Sequence, residues 1–333
     1  MKIASGLRHV SDDEPGLSRR RRGRGFSYVQ ADGTVVSDPD LRARIAAIAV
    51  PPAWRDVWIC ADADGHIQAT GFDEAGRKQY RYHPDWQEWR SRVKFDQLAL
   101  FGGALPRLRR RVARDLEAPP GSQEFALAAL ILLLDCARLR IGSTRHTKRS
   151  GTFGATTLLQ KHVRIGRRGR VELRFRAKGG TRVERRIHDQ RLHRALEQIA
   201  DLPGAQLFTW IDAQGVSHPL SSQMVNSYLS EASGLSEVTA KTFRTWSGTV
   251  AALGALRQTT PAATVKALCE RAAEVLHNTP AICRSSYIHP LLFDLVELAP
   301  ESRLERLGAT APRDPRGLRA DERRLLHLLT SQT

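Results

Sequence analysis

His277-Asn-Thr-Pro-Ala-Ile-Cys-Arg-Ser-Ser-Tyr-Ile-His-Pro290 is the stretch from which the rest of the chain is best read. Thr279 has the chemistry of a helix N-cap. Pro280 suits the first helical position, where its missing N–H would have had no intrahelical partner. Pro290 disfavours helical geometry at His289, so the spacing predicts a short helix from Pro280 that ends or kinks soon after Tyr287. Tyr287 is thereby held on a well-delimited element. A phenol ionises near pH 10 in water (about), so a tyrosine acting as a nucleophile at neutral pH needs cations around it. Taken alone, Tyr287 reads equally as a half-buried core tyrosine, and the decision lies elsewhere in the chain.

At 333 residues the chain exceeds a single hydrophobic core, and 41% apolar content suffices for two. A net charge of +17 and a pI near 10.6 point to a polyanionic partner. That charge is uneven: residues 1–96 carry +2 and residues 97–333 carry +15. Nucleic acid fits better than membrane, since no run approaches the roughly 18 apolar residues of a spanning helix, and no signal peptide is recognised. Cys60, Cys136, Cys269 and Cys283 are scattered without metal-ligand spacing and read as reduced thiols of a cytoplasmic protein. The absence of a Gly-x-x-x-x-Gly-Lys-Ser/Thr loop gives no reason to expect ATP.

Residues 1–25, with Arg19-Arg20-Arg21-Arg22, read either as a solvated tail or as a basic arm on phosphates. From Phe26 to Tyr82 the signals are strand-like, with turns at Asp32-Gly33 and Asp64-Gly65 between runs such as Thr34-Val35-Val36 and Val57-Trp58-Ile59; a helix is expected over Asp40 to Ala49. In Arg77-Lys78-Gln79-Tyr80-Arg81-Tyr82, strand alternation sets Gln79 and Arg81 on one face and Tyr80 and Tyr82 on the other. Arg, Lys and Gln suit base edges and phosphates, and aromatics pack on sugars or bases; a plain solvated strand is the rival reading. Trp86 and Trp89 read as core anchors. A linker is expected over Phe95 to Gln123, with an Arg-rich helix from Pro106 to Leu116 between Gly102-Gly103 and Pro119-Pro120-Gly121. Ser122 then caps an almost wholly apolar helix. It carries Arg138 and Arg140 out of the core, with Gly142 as its stop.

Residues 162–188 alternate apolar and charged residues across two glycine-bearing turns and predict a small sheet, with Lys178 at a hairpin tip beside Gly179 and Gly180. The remainder reads as helices over Asp189–Asp201, Ser221–Ala232, Thr239–Arg257, Pro261–His277, the Tyr287 segment and a tail from about Asp321. Residues 299–320 read as a loose connector. Lys241 and Arg244 lie beside Phe243 and Trp246 in the third of these helices.

In this order the motifs Arg140-Ile-Gly142, Phe175-Arg-Ala-Lys178, Lys241-Thr-Phe-Arg244-Thr-Trp246 and Asn278-Thr-Pro-Ala-Ile-Cys-Arg-Ser-Ser-Tyr287 resemble those of the compact type IB DNA topoisomerases of the poxvirus and bacterial kind, whose catalytic domain is shared with tyrosine recombinases. Gly76-Arg-Lys-Gln-Tyr-Arg-Tyr82 resembles the DNA-contacting strand of the family's N-terminal domain. The resemblance spans about residues 25–295. It implies an α+β architecture in which a β-rich domain, 1–96, and a mainly helical catalytic domain, 97–333, form a C-shaped monomeric clamp on duplex DNA. It implies Tyr287 as nucleophile, Arg140, Arg244 and Asn278 as phosphate contacts, and Lys178 as general acid. DNA contacts are expected from Arg77, Lys78, Gln79, Tyr80, Tyr82 and Lys241. No cofactor or metal is implied. The family spacing, nine positions before Tyr287, favours Asn278 over the adjacent His277, which stays in reserve as an alternative donor. Arg140 is preferred to Arg138 for its Ile-Gly context. A recombinase needing paired sites and a non-enzymatic DNA binder are the rival readings.

Overall fold

The computed structural model describes residues 6–257, 263–308 and 312–331, with the side chains of residues 145 and 146 set aside. The chain divides into two compact units, Met1–Lys94 and Phe95–Thr333. It is a mixed α/β protein, with a small N-terminal sheet and a mostly helical remainder.

In the first unit, strands β1 (Gly16–Arg22), β2 (Gly25–Val29), β3 (Arg55–Cys60), β4 (Ile67–Phe72) and β5 (Lys78–Tyr82) form an antiparallel sheet in the order β2-β1-β3-β4-β5. Helix α1 (Pro39–Ala47), capped by the Asp38 carboxylate, places Ile45 in a core with Leu17, Val36, Val57, Ile59 and Ala69. The arginine run of the N-terminal segment is neither a tail nor an arm: residues 19–22 lie in β1, paired with Gly25–Tyr28 of β2. The strand tolerates four cations because one is tied down by main chain and the others are solvated. The Arg19 guanidinium lies 4.2 Å from the Phe26 ring centroid and donates to the carbonyls of Val50, Pro51 and Trp54, whereas Arg20, Arg21 and Arg22 face solvent. Thr34-Val35-Val36 does not form a ladder of its own; it contributes a single bridge, Val29 to Val35.

Helix α2 (Pro84–Asp115) is continuous, so the expected linker from Phe95 and the separate helix from Pro106 are both corrected. Phe95, Leu98, Phe101, Leu105, Leu108 and Val112 recur at helical spacing and are all buried. Gly102 is there for space. A Cβ at that position would lie 2.4 Å from the Trp246 ring, so the helix runs through glycine to let that indole in. Trp86 is buried and stacks on the half-buried Trp89, centroids 5.0 Å apart.

Helix α3 (Gln123–Ala137), N-capped by Ser122, is buried along nearly its whole length. Around it lie α4 (Thr144–Ser150), the antiparallel sheet β6 (Val163–Ile165), β7 (Arg170–Arg176) and β8 (Arg182–His188), α5 (Gln190–Ile199), and a small hairpin of β9 (Thr209–Ile211) and β10 (Ser217–Pro219). The chain continues through α6 (Ser222–Ser233), α7 (Ala240–Leu256), α8 (Val265–Leu276), α9 (Pro280–Ser286), α10 (Leu291–Asp294), α11 (Pro300–Leu307) and α12 (Ala320–Thr330). Pro261, the expected start of the α8 helix, lies outside the described residues. Residues 299–320 are not merely a loose connector, because α11 buries Arg303 and Leu307. The tail helix α12 is core: Leu325, Leu326 and Leu328 are buried. Its Glu322 accepts two hydrogen bonds of 2.8 Å from Arg109 of α2, which also forks onto Asp135 of α3 at 2.8 and 3.0 Å. Burial alone would lower the Arg109 pKa; the bonds with Glu322 and Asp135 outweigh it and leave it raised.

Candidate active site

Two helices of the second unit end in residues that rarely adopt left-handed geometry. Helix α3 stops at Arg138 (φ 57°), not at Gly142 as the sequence suggested, and α8 stops at His277 (φ 45°). Each turns the chain sharply and leaves carbonyls unpaired at a helix C-terminus, where a cation is favoured. One side chain answers both. Arg244 of α7 donates from Nη1 to the Arg138 carbonyl at 2.5 Å and from Nη2 to the Leu276 carbonyl at 3.1 Å. It is 3% exposed, so its placement is set by main chain on both sides.

Tyr287 is the C-cap of α9, whose first turn is closed by Thr279 Oγ1 accepting from Ile282 N, with Pro280 at the helix start. Tyr287 is 8% exposed, and the Arg244 Cζ lies 5.1 Å from its ring centroid. The Tyr287 carbonyl accepts from Thr249 Oγ1 of α7 at 3.3 Å, and the same hydroxyl accepts from His289 N at 3.2 Å. Burial pushes the Arg244 pKa down; the nearby Tyr287 pulls it up and Arg140 pushes it down further. Arg140 follows the α3 cap. Its carbonyl accepts from Ala155 N, and that of Ile141 from Thr156 N, both at 2.8 Å, so the main chain beneath the Arg140 side chain is fixed.

Arg138, Arg140, Arg185, Arg244 and His277 line one recess together with Ala177; none of the described residues lining it is a carboxylate. Four guanidiniums without a counter-charge make an anion site. The donors agree: Arg138 Nε, Arg185 Nε, Arg244 Nε and Asn278 Nδ2 are all buried without a partner. Each such donor costs about 1–3 kcal/mol if left unpaired, a penalty that a phosphate oxygen in the recess would remove. For Asn278 the orientation is set, because its Oδ1 already accepts from Thr279 N at 3.2 Å and only the amide nitrogen remains. Burial first, and the neighbouring Arg138 and Arg244 next, push the Arg185 pKa down to about 10. Burial and Arg185 likewise lower that of His277, which keeps its imidazole neutral near pH 7.

Of the residues singled out from sequence, Arg140, Arg244 and Tyr287 are brought together. Asn278 offers a buried free donor, although His277 rather than Asn278 lines the recess. Lys178 is exposed at the β7–β8 tip, one residue beyond Ala177, and is outside the lining. Lys241 is exposed in the first turn of α7. In the first unit, Tyr80 and Tyr82 are 42% and 38% exposed and stack with centroids 5.8 Å apart and planes at 13°. Their polar neighbours are occupied: Arg77 and Gln79 both donate to Asp73, at 2.6 and 2.9 Å, and Lys78 pairs with Asp12 at 2.5 Å. Arg185 was missed. The signal was present in β8, where Val183 and Ile187 face inward and Arg185 shares their face.

Comparison with known proteins bears on this constellation. Residues 83–286 match the profile of the eukaryotic DNA topoisomerase I catalytic core, and residues 25–73 that of the bacterial DNA topoisomerase IB N-terminal domain. The chain belongs to the type IB DNA topoisomerase family. It is also 29% identical over 305 residues to the DNA topoisomerase 1B of Acanthamoeba polyphaga mimivirus, an alignment covering 87% of this chain and 90% of the viral one. The activity is that of a type IB topoisomerase, an isomerase acting on duplex DNA. The catalytic-core match ends at residue 286, so the assignment of Tyr287 rests on the site itself. No described helix is long and apolar enough to cross a membrane.

Proposed function

We propose that this topoisomerase relaxes positive and negative supercoils by cutting one strand through Tyr287, letting it rotate and resealing it. The observation that carries the proposal is the Tyr287 phenol packed under Arg244 beside a recess of arginines with free, buried donors. In-line attack of the phenolic oxygen forms the Tyr287–phosphorus bond as the bond to the 5′ oxygen breaks; the phenolic proton passes to water. Negative charge grows on the nonbridging oxygens in the five-coordinate transition state. There Arg140 and Arg244 present permanently charged donors, and the Asn278 amide presents a neutral one. The departing 5′ oxygen is strongly basic and takes a proton from Lys178, whose long side chain reaches it from the β7–β8 tip. The product is a 3′-phosphotyrosyl ester and a free 5′ hydroxyl, whose return attack restores the strand. The ester retains the bond energy, so the cycle runs without ATP, and the arginines do the charge stabilisation that other nucleic-acid enzymes assign to metal ions.

The two units would close on the duplex as a C-shaped monomeric clamp. The Tyr80–Tyr82 pair would pack on the DNA, while Arg77, Lys78 and Gln79 exchange their carboxylate partners for phosphates or base edges and Lys241 contacts phosphate. The test is relaxation of supercoiled plasmid in chelator without ATP, wild type against Tyr287→Phe, with detergent to trap protein–DNA adducts. Wild type is expected to relax both signs of supercoil and to yield an adduct on the 3′ phosphate. Tyr287→Phe is expected to bind DNA and do neither. Equal cleavage by the mutant would remove Tyr287 from the mechanism.

A further inference from the structure

Arg185 belongs to no motif used above, yet it is built into the recess more deliberately than a surface arginine would be. It enters from β8 between Val183 and Ile187, on the face that otherwise fills the core. Its Nη2 donates to the carbonyl of Val275 in the last turn of α8, and the Glu184 backbone beside it hydrogen-bonds His277. One arm of the guanidinium is therefore fixed. Its Nε–H is buried in the recess without an acceptor, alongside the unpartnered Nε–H groups of Arg138 and Arg244. No carboxylate is recorded within ion-pair distance of Arg185 among the described residues, although Glu172 and Glu184 neutralise much of the outer face of the same sheet. Folding a cation into a site already holding three others is unfavourable unless an anion is to be received there.

We propose that Arg185 is a further phosphate contact of this enzyme, donating through Nε–H to a nonbridging oxygen of the phosphate that Tyr287 attacks. This rests on the assignment of Tyr287 as nucleophile. Because β8 is the return strand of the hairpin that carries Lys178, the contact also couples the phosphate to the base of that hairpin. Phosphate binding would replace the repulsion among Arg138, Arg185 and Arg244 with shared attraction to one anion, and the transition state, carrying more charge, would gain more than the ground state.

The experiment separates contact from scaffolding. Single-turnover adduct formation is measured for wild type, Arg185→Ala and Arg185→Gln on a duplex with an ordinary scissile phosphate. It is repeated on the two stereoisomers in which a methyl group replaces one nonbridging oxygen. Arg185→Gln keeps a donor for the Val275 carbonyl while removing the charge, so it carries the test if Arg185→Ala folds poorly. The loss on the phosphodiester is expected to be about 10- to 100-fold, the worth of one charge-assisted hydrogen bond. On the isomer that lacks the contacted oxygen it is expected to shrink to about threefold or less. A loss of equal size on all three substrates would make Arg185 a scaffold for Val275 and overturn the contact; so would no loss at all. Wild type failing to form an adduct at Tyr287 on the ordinary duplex is a separate outcome and would overturn the nucleophile assignment itself.

Discussion

Gly248→Ala tests whether the tyrosine is placed by the close approach of α7 to the chain around Tyr287. A Cβ on Gly248 would lie 2.6 Å from the Tyr287 carbonyl oxygen, 2.9 Å from Leu276 Cδ1 and 3.2 Å from Tyr287 Cβ. The leucine methyl can swing away. The carbonyl cannot move alone, because it is main chain and the N–H of the same residue is fixed on the Cys283 carbonyl at 2.9 Å. Carbon–oxygen contacts in proteins settle near 3.3 Å or more (about), so α7 and the Tyr287 backbone must part by about 0.7 Å. Alanine gains about 1 kcal/mol of helix propensity over glycine, while overpacking costs about 1–3 kcal/mol. The net effect is a destabilisation of about 0–2 kcal/mol, a melting shift of a few degrees. Reaction geometry is less forgiving: a misplacement approaching 1 Å costs about 100-fold in rate. The expected signature is thus a fall in adduct formation of roughly that size, with DNA affinity unchanged and only a small loss in melting temperature. Gly254→Ala is the control on the same helix, since its Cβ would meet only Asp321 Oδ2 at 3.9 Å; it should leave cleavage intact and stabilise slightly. Adduct formation at the wild-type rate by Gly248→Ala would refute the reasoning.

Lys178→Ala is expected to slow adduct formation by about 10²–10⁴-fold, and a substrate whose 5′ leaving atom is sulfur, which departs without a proton, should recover most of that loss; equal defects on both substrates would deny Lys178 the acid role. His277 has its folded-state pKa lowered by burial and by Arg185, so the unfolded chain takes up the proton first and stability should fall as pH drops below about 6.5. His277→Asn, which keeps a residue tolerant of the left-handed turn, should lose less melting temperature than wild type between pH 7.5 and 5.5; the slope should shrink without vanishing, because His66 and His162 are lowered as well. Identical slopes would exclude His277 as a contributor.

What was legible in the sequence was local. Thr279 and Pro280 announce a helix start because both effects act within one turn, and the β7–β8 hairpin follows from alternation between glycines. What was not legible depends on distant partners. Gly102 and Pro106 read as breakers until Trp246 fills the space that a side chain at 102 would take. Arg138 read as the run-out of a helix when it is the cap itself, a left-handed turn that offers its carbonyl to Arg244. Arg185 broke the inward face of β8 visibly, but its purpose needed Val275, which sequence places on a different helix.

These misses share a cause that also bears on mechanism. The chain holds buried arginines in two ways. Arg109 is clamped by Asp135 and Glu322, its charge matched by carboxylates, and it serves to join α2, α3 and α12. Arg244 and Arg185 are held by carbonyls at the ends of helices, which orient a guanidinium and favour its charge without cancelling it. An arginine fixed by carbonyls keeps its full positive charge and its remaining donors for a ligand. Sequence spacing is silent on both, because Asp135 and Glu322 lie 26 and 213 positions from Arg109 and the carbonyls belong to residues of any type. A site meant for phosphate is built from the second kind, because any carboxylate close enough to position those cations would compete with the oxygens they are there to receive.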